Sequence, residues 1–137
     1  HPAFGARQLS NANTNGATND GGTALFTTVF LNSGSHYNNS TGKFTCPVDG
    51  IYHFSCTMLI DDNASSNQTY YVDIRKNNSQ ITRLGYDVRT NTYSGYHPYM
   101  AGSVTISAAA GDEITIYMNT GGFHIGGEAN FSGHLIG

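Results

Sequence analysis

The sequence predicts an all-β sandwich, and three observations support that prediction. Glycine, asparagine, threonine and serine are abundant, with 17 glycines alone, whereas only 11% of the residues are charged. β-Branched and aromatic residues, which favour strands, dominate the apolar runs. No segment keeps a helical period, and small polar clusters divide the chain into about nine or ten short apolar segments. This pattern is typical of a sandwich or a jelly roll.

Composition also limits the domain count and the classes of partner. The 137 residues fit a single domain, 1–137, that is long enough to bury one core. The formal net charge is −3 and the basic residues are scattered, so we expect no nucleic-acid partner. No apolar run approaches the roughly 20 residues of a membrane helix. We therefore expect no insertion into a membrane.

The first part of the chain carries three predicted strands. Residues 3–9 form the first strand, and the long polar stretch at 10–22 is a loop that leads to a second strand at 23–31. Another polar stretch, 32–41, precedes a short strand at 42–46. Each boundary falls where small polar residues interrupt an apolar run.

The clearest strand covers residues 51–60. Every second side chain in it is apolar, so a period of two places one face in the core. The inward set is Tyr52, Phe54, Cys56, Met58 and Ile60. A hairpin at the turn 47–50 would place Cys46 opposite roughly residue 51, several residue pairs away from Cys56. Because a disulfide requires Cα atoms that lie close together, we expect two buried free thiols.

Residues 70–75 alternate in the same way, and a turn at Asn77 and Asn78 joins them to a strand at 81–86 in a predicted hairpin. The alternating faces of all the strands together predict the core. It consists of Phe44, Tyr52, Phe54, Val72, Ile74, Ile114, Ile116, Phe131 and Leu135.

The last part of the chain holds three more strands. One begins near Tyr96 and ends at Ile106, and a turn at 108–111 leads into the strand 112–119, so we predict a second hairpin here. A glycine-rich loop at 121–127 then precedes the final strand, which begins at Phe131 and keeps a period of two.

One segment goes beyond a generic sandwich. The run Gly42-Lys43-Phe44-Thr45-Cys46-Pro47-Val48-Asp49-Gly50-Ile51-Tyr52-His53-Phe54 closely resembles the central signature of the globular C1q domain family, through the spacing of Phe44, Gly50, Tyr52 and Phe54. Four further segments occur in the order of the family, at residues 3–6, 102–104, 111–114 and 131–136. The resemblance covers nearly the whole chain.

The resemblance implies a ten-stranded jelly roll of the C1q and tumour-necrosis-factor type that assembles as a homotrimer, is secreted, and serves recognition. Members that lack a collagen-like stalk resemble this chain, which contains no Gly-X-Y repeat. Many of those act in invertebrate innate immunity as lectin-like pattern recognition molecules that bind glycans or microbial surfaces. Two other functions stay open: a trimeric signalling ligand for a protein receptor, and a structural assembly module.

Metals and cofactors are not expected. Some family members hold calcium at the trimer apex with acidic residues shortly before the strand that carries Gly102, where this chain has Thr90 and Pro98. Asp87 lies nearby, but calcium needs roughly six to eight oxygens, which this segment does not supply. The six histidines also show no zinc-binding spacing along the chain. We predict no metal and no cofactor.

The sequence predicts no enzyme. It contains no Gly-x-Ser-x-Gly elbow and no serine beside a candidate base. Asp61 and Asp62 resemble a carboxylate pair, but adjacent residues at the end of a strand point apart, and Asp-Asp-Asn more often forms a turn.

The most distinctive polar and aromatic cluster lies at residues 93–99. Aromatic faces stack on the C–H face of a sugar ring, while hydroxyl, imidazole and amide groups bond its hydroxyls. The candidate carbohydrate-binding residues are Asn91, Tyr93, Tyr96, His97 and Tyr99. The alternative is that alternate tyrosines face the core or a trimer contact.

A second candidate loop, at residues 119–130, carries Phe123, His124 and Glu128. Its aromatic, imidazole and carboxylate groups suit the same chemistry. Its glycines are also consistent with a loop that only shapes a turn.

Overall fold

The computed structural model describes residues 1–10, 22–61, 67–89 and 97–137. These residues form eleven strands and no helix, which confirms the all-β prediction. The strands are β1 (Ala3–Leu9), β2 (Gly22–Thr23), β3 (Phe26–Ser33), β4 (Tyr37–Asn38), β5 (Lys43–Thr45), β6 (Gly50–Leu59), β7 (Gln68–Lys76), β8 (Ser79–Arg89), β9 (Tyr99–Ala108), β10 (Glu113–Met118) and β11 (Asn130–Leu135).

The strands pair into two antiparallel sheets. The first sheet has the order β3-β1-β11-β6-β9 and the second has the order β4-β5-β10-β7-β8, with β2 also paired to β10. Strands that follow one another along the chain often lie in different sheets, as in a jelly roll. The described residues thus form one strand more than the ten that the resemblance implies, and two of the eleven, β2 and β4, are only two residues long.

The core between the sheets is rich in aromatic rings. Phe4 stacks on Tyr37 and on Phe44, in each case with ring centroids 4.8 Å apart, and Phe131 meets it edge-on. The predicted core is confirmed for eight of its nine members. Leu135 is only partly buried and packs against the edge of the core.

Strand β6 has the register that its alternation predicts. Its even-numbered side chains are buried, and it pairs with β11 on one side and β9 on the other. Phe54 lies opposite Gly133, where a side chain on the glycine would overlap the Phe54 ring. The absence of a side chain at Gly133 therefore gives the ring its space.

The hairpin predicted at the turn 47–50 is wrong. Strand β5 pairs in the second sheet and β6 in the first, so the turn carries the chain from one sheet to the other. The peptide N–H of Cys46 instead donates to Asp112, and its carbonyl accepts from Gly111. Both strands point apolar residues into the same core, so alternation alone could not separate a hairpin from a crossover.

The hairpin predicted around residues 108–111 is wrong for the same reason. Strand β9 pairs with β6, whereas β10 pairs with β2, β5 and β7. The β7–β8 hairpin, in contrast, is confirmed. Its turn residues Asn77 and Asn78 have φ values of 51° and 65°, the left-handed conformation that Asn tolerates.

The single strand predicted at residues 23–31 is interrupted. The N–H of Ala24 donates to Ile116 in the second sheet, and the carbonyl of the next residue, Leu25, accepts from Ser10. The chain therefore crosses between sheets at this point, and β2 and β3 are separate strands.

Both cysteines are free and buried, as predicted. Burial raises the pKa of Cys46 to about 11, and the negative charge of Asp112 acts in the same direction. Burial also raises the pKa of the Cys56 thiol. Neither thiol is therefore poised for nucleophilic chemistry at neutral pH.

Candidate functional site

Two of the five predicted carbohydrate-binding residues lie in the described part of the chain. His97 lies two residues before the start of β9 and is half-buried, and Tyr99 is the first residue of β9. Tyr99 is 71% exposed, so it does not belong to the core of the chain. Asn91, Tyr93 and Tyr96 lie outside the described residues.

Three segments meet at the end of the sandwich that carries His97: the end of β6, the start of β9 and the loop before β11. Backbone hydrogen bonds of 2.7–3.0 Å connect them. Their donors and acceptors are Ile60 N to the Pro98 carbonyl, Asp61 N to the Gly122 carbonyl, and His124 N to the Leu59 carbonyl. The relative positions of the three segments are thus set by main-chain contacts.

An aromatic anchor holds the loop before β11 in place. Phe123 is fully buried, forms an isolated bridge with Ile60, and meets the ring of Tyr70 edge-on at a centroid distance of 6.0 Å. Because Phe123 is fixed in the core, its neighbour His124 is held at the rim. The aromatic residue of the second candidate loop is therefore structural.

The side chains of Asp61, His97 and His124, which we call the rim cluster, lie against one another. The imidazole rings of His97 and His124 have centroids 3.9 Å apart with an interplanar angle of 32°. Nδ1 of His124 is 3.5 Å from Oδ1 of Asp61. The two candidate segments of the sequence analysis thus meet at this point of the fold.

Burial differs sharply across the rim cluster. The Asp61 side chain is 3% exposed and that of His124 is 27% exposed. Buried Arg89 donates through Nη1 to the Asp61 backbone carbonyl, which brings a positive charge next to the residue. A buried carboxylate is costly without such charged or hydrogen-bonding neighbours.

The rim cluster has donor atoms of a kind that bind metals. One ligand atom from each of its three residues lies within 4.8 Å of the other two. Within the described ranges, Nδ1 of His97 and Nδ1 of His124 are buried and have no hydrogen-bond partner. Both histidines are candidates from the sequence, whereas the Asp-Asp-Asn run predicts a turn at Asp61. Its position directly after a buried strand was the one available signal.

Glu128, the other polar candidate of that loop, is exposed but lies beside the cluster. Its Oε2 and Nε2 of His124 are each 2.8 Å from the point that a Cβ on Gly126 would occupy. The missing side chain at Gly126 therefore lets both polar groups approach this side of the loop.

A cleft of about 350 Å³ lies elsewhere, lined by Asp49, Gly50, Lys76, Ser107, Ala108, Ala109 and Asp112. The two carboxylates that line this cleft already accept hydrogen bonds from residues in turns. Asp49 accepts from the N–H of Ala110, and Asp112 accepts from the N–H of Ala109 and from the Asn77 side chain. These bonds lower the pKa of Asp112. The cleft is therefore a weaker candidate than the rim cluster.

The prediction of no apical calcium stays a prediction. Thr90 lies outside the described residues, the Pro98 carbonyl accepts a hydrogen bond from the N–H of Ile60, and Asp87 is half-buried in β8.

Across the described ranges, no helix has the length and apolar character needed to span a membrane.

Comparison with known sequences identifies relatives. The profile of the C1q domain matches residues 3–136. The chain is 33% identical over 119 residues to Complement C1q tumor necrosis factor-related protein 7 of Mus musculus, which covers 82% of this chain and 37% of that protein. It is 31% identical over 90 residues to Complement C1q tumor necrosis factor-related protein 2 of Homo sapiens, covering 65% and 28%. The chain spans about a third of the length of these curated relatives.

Solved structures share the fold. The globular domain of zebrafish complement 1qA protein superposes with a TM-score of 0.70 at 20% identity, covering 100% of this chain and 98% of that chain. Murine APRIL at pH 5.0 superposes with a TM-score of 0.69 at 14% identity, covering 97% and 96%. Both matches confirm the jelly roll. Because the profile spans nearly the whole chain and includes every segment of the predicted signature, the chain belongs to the C1q domain family.

Proposed function

We propose that the chain is a secreted, homotrimeric, non-enzymatic recognition module that binds glycans or microbial surfaces. The observation that carries the proposal is the exposure of Tyr99, which is 71% exposed and follows His97 of the rim cluster by two residues. An exposed aromatic ring close in the chain to a half-buried imidazole offers a stacking surface and a hydrogen-bonding partner for a sugar. Family membership supports the extracellular setting.

Two exposed apolar patches support a trimer. Phe30, which is 63% exposed, and Leu31 lie on β3, one edge strand of the first sheet. Tyr86 and Val88 are exposed on β8, which packs against β9 at the opposite edge. A ring of subunits joins two different patches head to tail, so patches on opposite flanks suit a closed trimer.

A glycan site in this trimer would lie at the start of β9. Tyr99 and His97 would form it together with Asn91, Tyr93 and Tyr96 of the preceding segment. Single sugar contacts are weak, but three sites on one body raise avidity by about 10²- to 10⁴-fold on a repetitive surface. A trimer therefore suits the recognition of microbial surfaces.

A second candidate function is that of a signalling ligand for a protein receptor. The outer face of the second sheet favours it, because Arg75 stacks on Tyr117 and Arg83 stacks on Tyr71, each with the guanidinium 3.6 Å from the ring centroid. Arginine and tyrosine are enriched at the energetic centres of protein interfaces. The relatives carry tumor necrosis factor-related names, which is consistent with this alternative.

A glycan array separates the two functions. The wild-type protein should bind a subset of glycans, and free sugar should compete. Tyr99→Ala should lose that binding with its trimer mass and melting temperature unchanged, whereas Tyr117→Ala, a tyrosine on the opposite sheet, should keep it. Binding that Tyr117→Ala loses and Tyr99→Ala keeps would contradict the proposed site. Binding to deglycosylated cells without any array signal would favour a receptor.

A further inference from the structure

We infer that Asp61, His97 and His124 form a site for one divalent transition-metal ion, with Zn²⁺ as the best fit. Their ligand atoms lie within 4.8 Å of one another at the rim of the sandwich. This inference goes beyond the proposed recognition function and does not depend on it, because the three residues belong to one chain and need neither a glycan nor a trimer.

The chemistry of the donors selects the class of metal. Two imidazole nitrogens and one carboxylate oxygen are a ligand set that Zn²⁺ takes in proteins. Calcium instead requires roughly six to eight oxygens, which these three side chains cannot supply. The prediction of no metal was based on spacing along the chain, and that criterion does not detect ligands from three distant segments.

The distance between two of the three ligand atoms already suits a tetrahedral site. Metal–ligand bonds of about 2.0–2.2 Å place neighbouring ligand atoms of a tetrahedral ion about 3.3–3.6 Å apart. Nδ1 of His124 and Oδ1 of Asp61 are already 3.5 Å apart. His97 stacks on His124 with ring centroids 3.9 Å apart, so its ring has to rotate out of the stack to direct a nitrogen at the ion.

The nitrogens are available for coordination. Nδ1 of His97 and Nδ1 of His124 are buried and make no hydrogen bond to any of the described residues. Buried polar atoms without a partner are rare and cost free energy, and a metal ion would satisfy both nitrogens. The carboxylate of Asp61, which is almost wholly buried, would partly neutralise the charge of the ion.

The backbone that carries the ligands is held by contacts that do not involve an ion. The three main-chain hydrogen bonds that join the segments hold Asp61, the start of β9 and His124 in register. Ligands on such supported elements lose little conformational entropy on binding. Three protein ligands leave a fourth tetrahedral position, which a water molecule would fill.

Calorimetric titration with Zn²⁺ tests the site. We expect saturable binding of one ion per chain. Asp61→Asn keeps the size of the side chain, and His124→Ala removes the imidazole. Each should lower the affinity for Zn²⁺ at least about 10-fold, because the loss of a group outside the coordination sphere already lowers metal affinity by about that factor. The control is His53→Ala, because His53 and His134 form the other histidine pair, with ring centroids 5.8 Å apart on the first sheet.

Three results would overturn the inference. They are the absence of stoichiometric binding, equal affinity in wild type and Asp61→Asn, and a loss caused by His53→Ala in place of the cluster variants. If the cluster variants do not fold, the wild-type protein still decides, because Zn²⁺ should shift the ring resonances of His97 and His124 in NMR spectra. A shift confined to His53 and His134 would place the ion elsewhere and contradict the assignment.

Discussion

Replacing Phe54 by alanine should lower the free energy of unfolding by about 3–5 kcal/mol, the usual cost of removing a buried phenylalanine ring. Phe54 is fully buried at the centre of β6. Its ring centroid lies 5.7 Å from that of Phe44 and 6.1 Å from those of Tyr52 and Phe131. The neighbouring rings of Phe44, Tyr52 and Phe131 are held in place by other contacts in the core. Gly133, which pairs with Phe54, has no side chain that could fill the cavity left by the phenylalanine ring. The cavity therefore stays largely open.

For a domain of this size the loss corresponds to a fall in melting temperature of about 10–20 °C. Urea unfolding followed by circular dichroism at a fixed chain concentration measures it, because the stability of an oligomer depends on concentration. The matched control is Ile51→Ala on the opposite face of the same strand, where the side chain is 41% exposed. The control should change stability by no more than about 0.5 kcal/mol.

The comparison tests the register of the strand. A shift of one residue exchanges the two faces of a strand, so it would make Ile51 the costly position and Phe54 the tolerant one. If Phe54→Ala unfolded at the same urea concentration as the wild type, the inward set of β6 would be wrong. The pairings of β6 with β9 and β11 would then be wrong as well.

Three more predictions concern the assembly, two glycines and Cys46. The wild type should sediment as about three chains at micromolar concentration, and Phe30→Ser should dissociate the trimer. Val48→Ser changes another exposed apolar residue and should leave the trimer intact. A monomeric wild type would refute the assembly. Gly102→Ala should cost about 1–3 kcal/mol in urea unfolding, because its Cβ would overlap a backbone carbonyl of β8. Gly85→Ala should cost less, since the three atoms nearest to its added Cβ all belong to the side chain of Met100, and equal losses would contradict this reasoning. Because the pKa of Cys46 is raised from 9.0 to about 11 in the folded protein, its contribution to stability is present below pH 9 and is lost as the pH rises towards 11. Thermal melts should show that Cys46→Ala reduces the alkaline loss, of which the raised pKa of Cys56 causes a separate part, and a wild-type melting temperature that is constant from pH 9 to 11 would argue against it.

The candidate site could be predicted only in part. The sequence indicates His97 and Tyr99 through an aromatic cluster and His124 through a polar loop, as two separate candidates. Asp61 belongs to an Asp-Asp-Asn run, which by itself predicts a turn. No local pattern connects these segments, since the contacts that unite them are long-range hydrogen bonds between main-chain atoms.

The sequence by itself determined the features that depend on local periodicity and residue type. The inward face of β6, the β7–β8 turn at Asn77 and Asn78, and the family signature from Gly42 to Phe54 all follow from neighbours a few residues apart. Strand alternation is set by backbone geometry, and turn preference is set by tolerance of the left-handed conformation, so both are visible in the chain itself.

Only the tertiary structure decided which strands pair and which side chains meet. The turn at 47–50 and the turn at 108–111 cross between sheets although their flanking strands alternate as hairpin strands do. Both arrangements bury the same apolar faces, so the hydrophobic effect, which is non-directional, does not distinguish them. Directional backbone hydrogen bonds between distant strands make the choice, and the same bonds bring Asp61, His97 and His124 together.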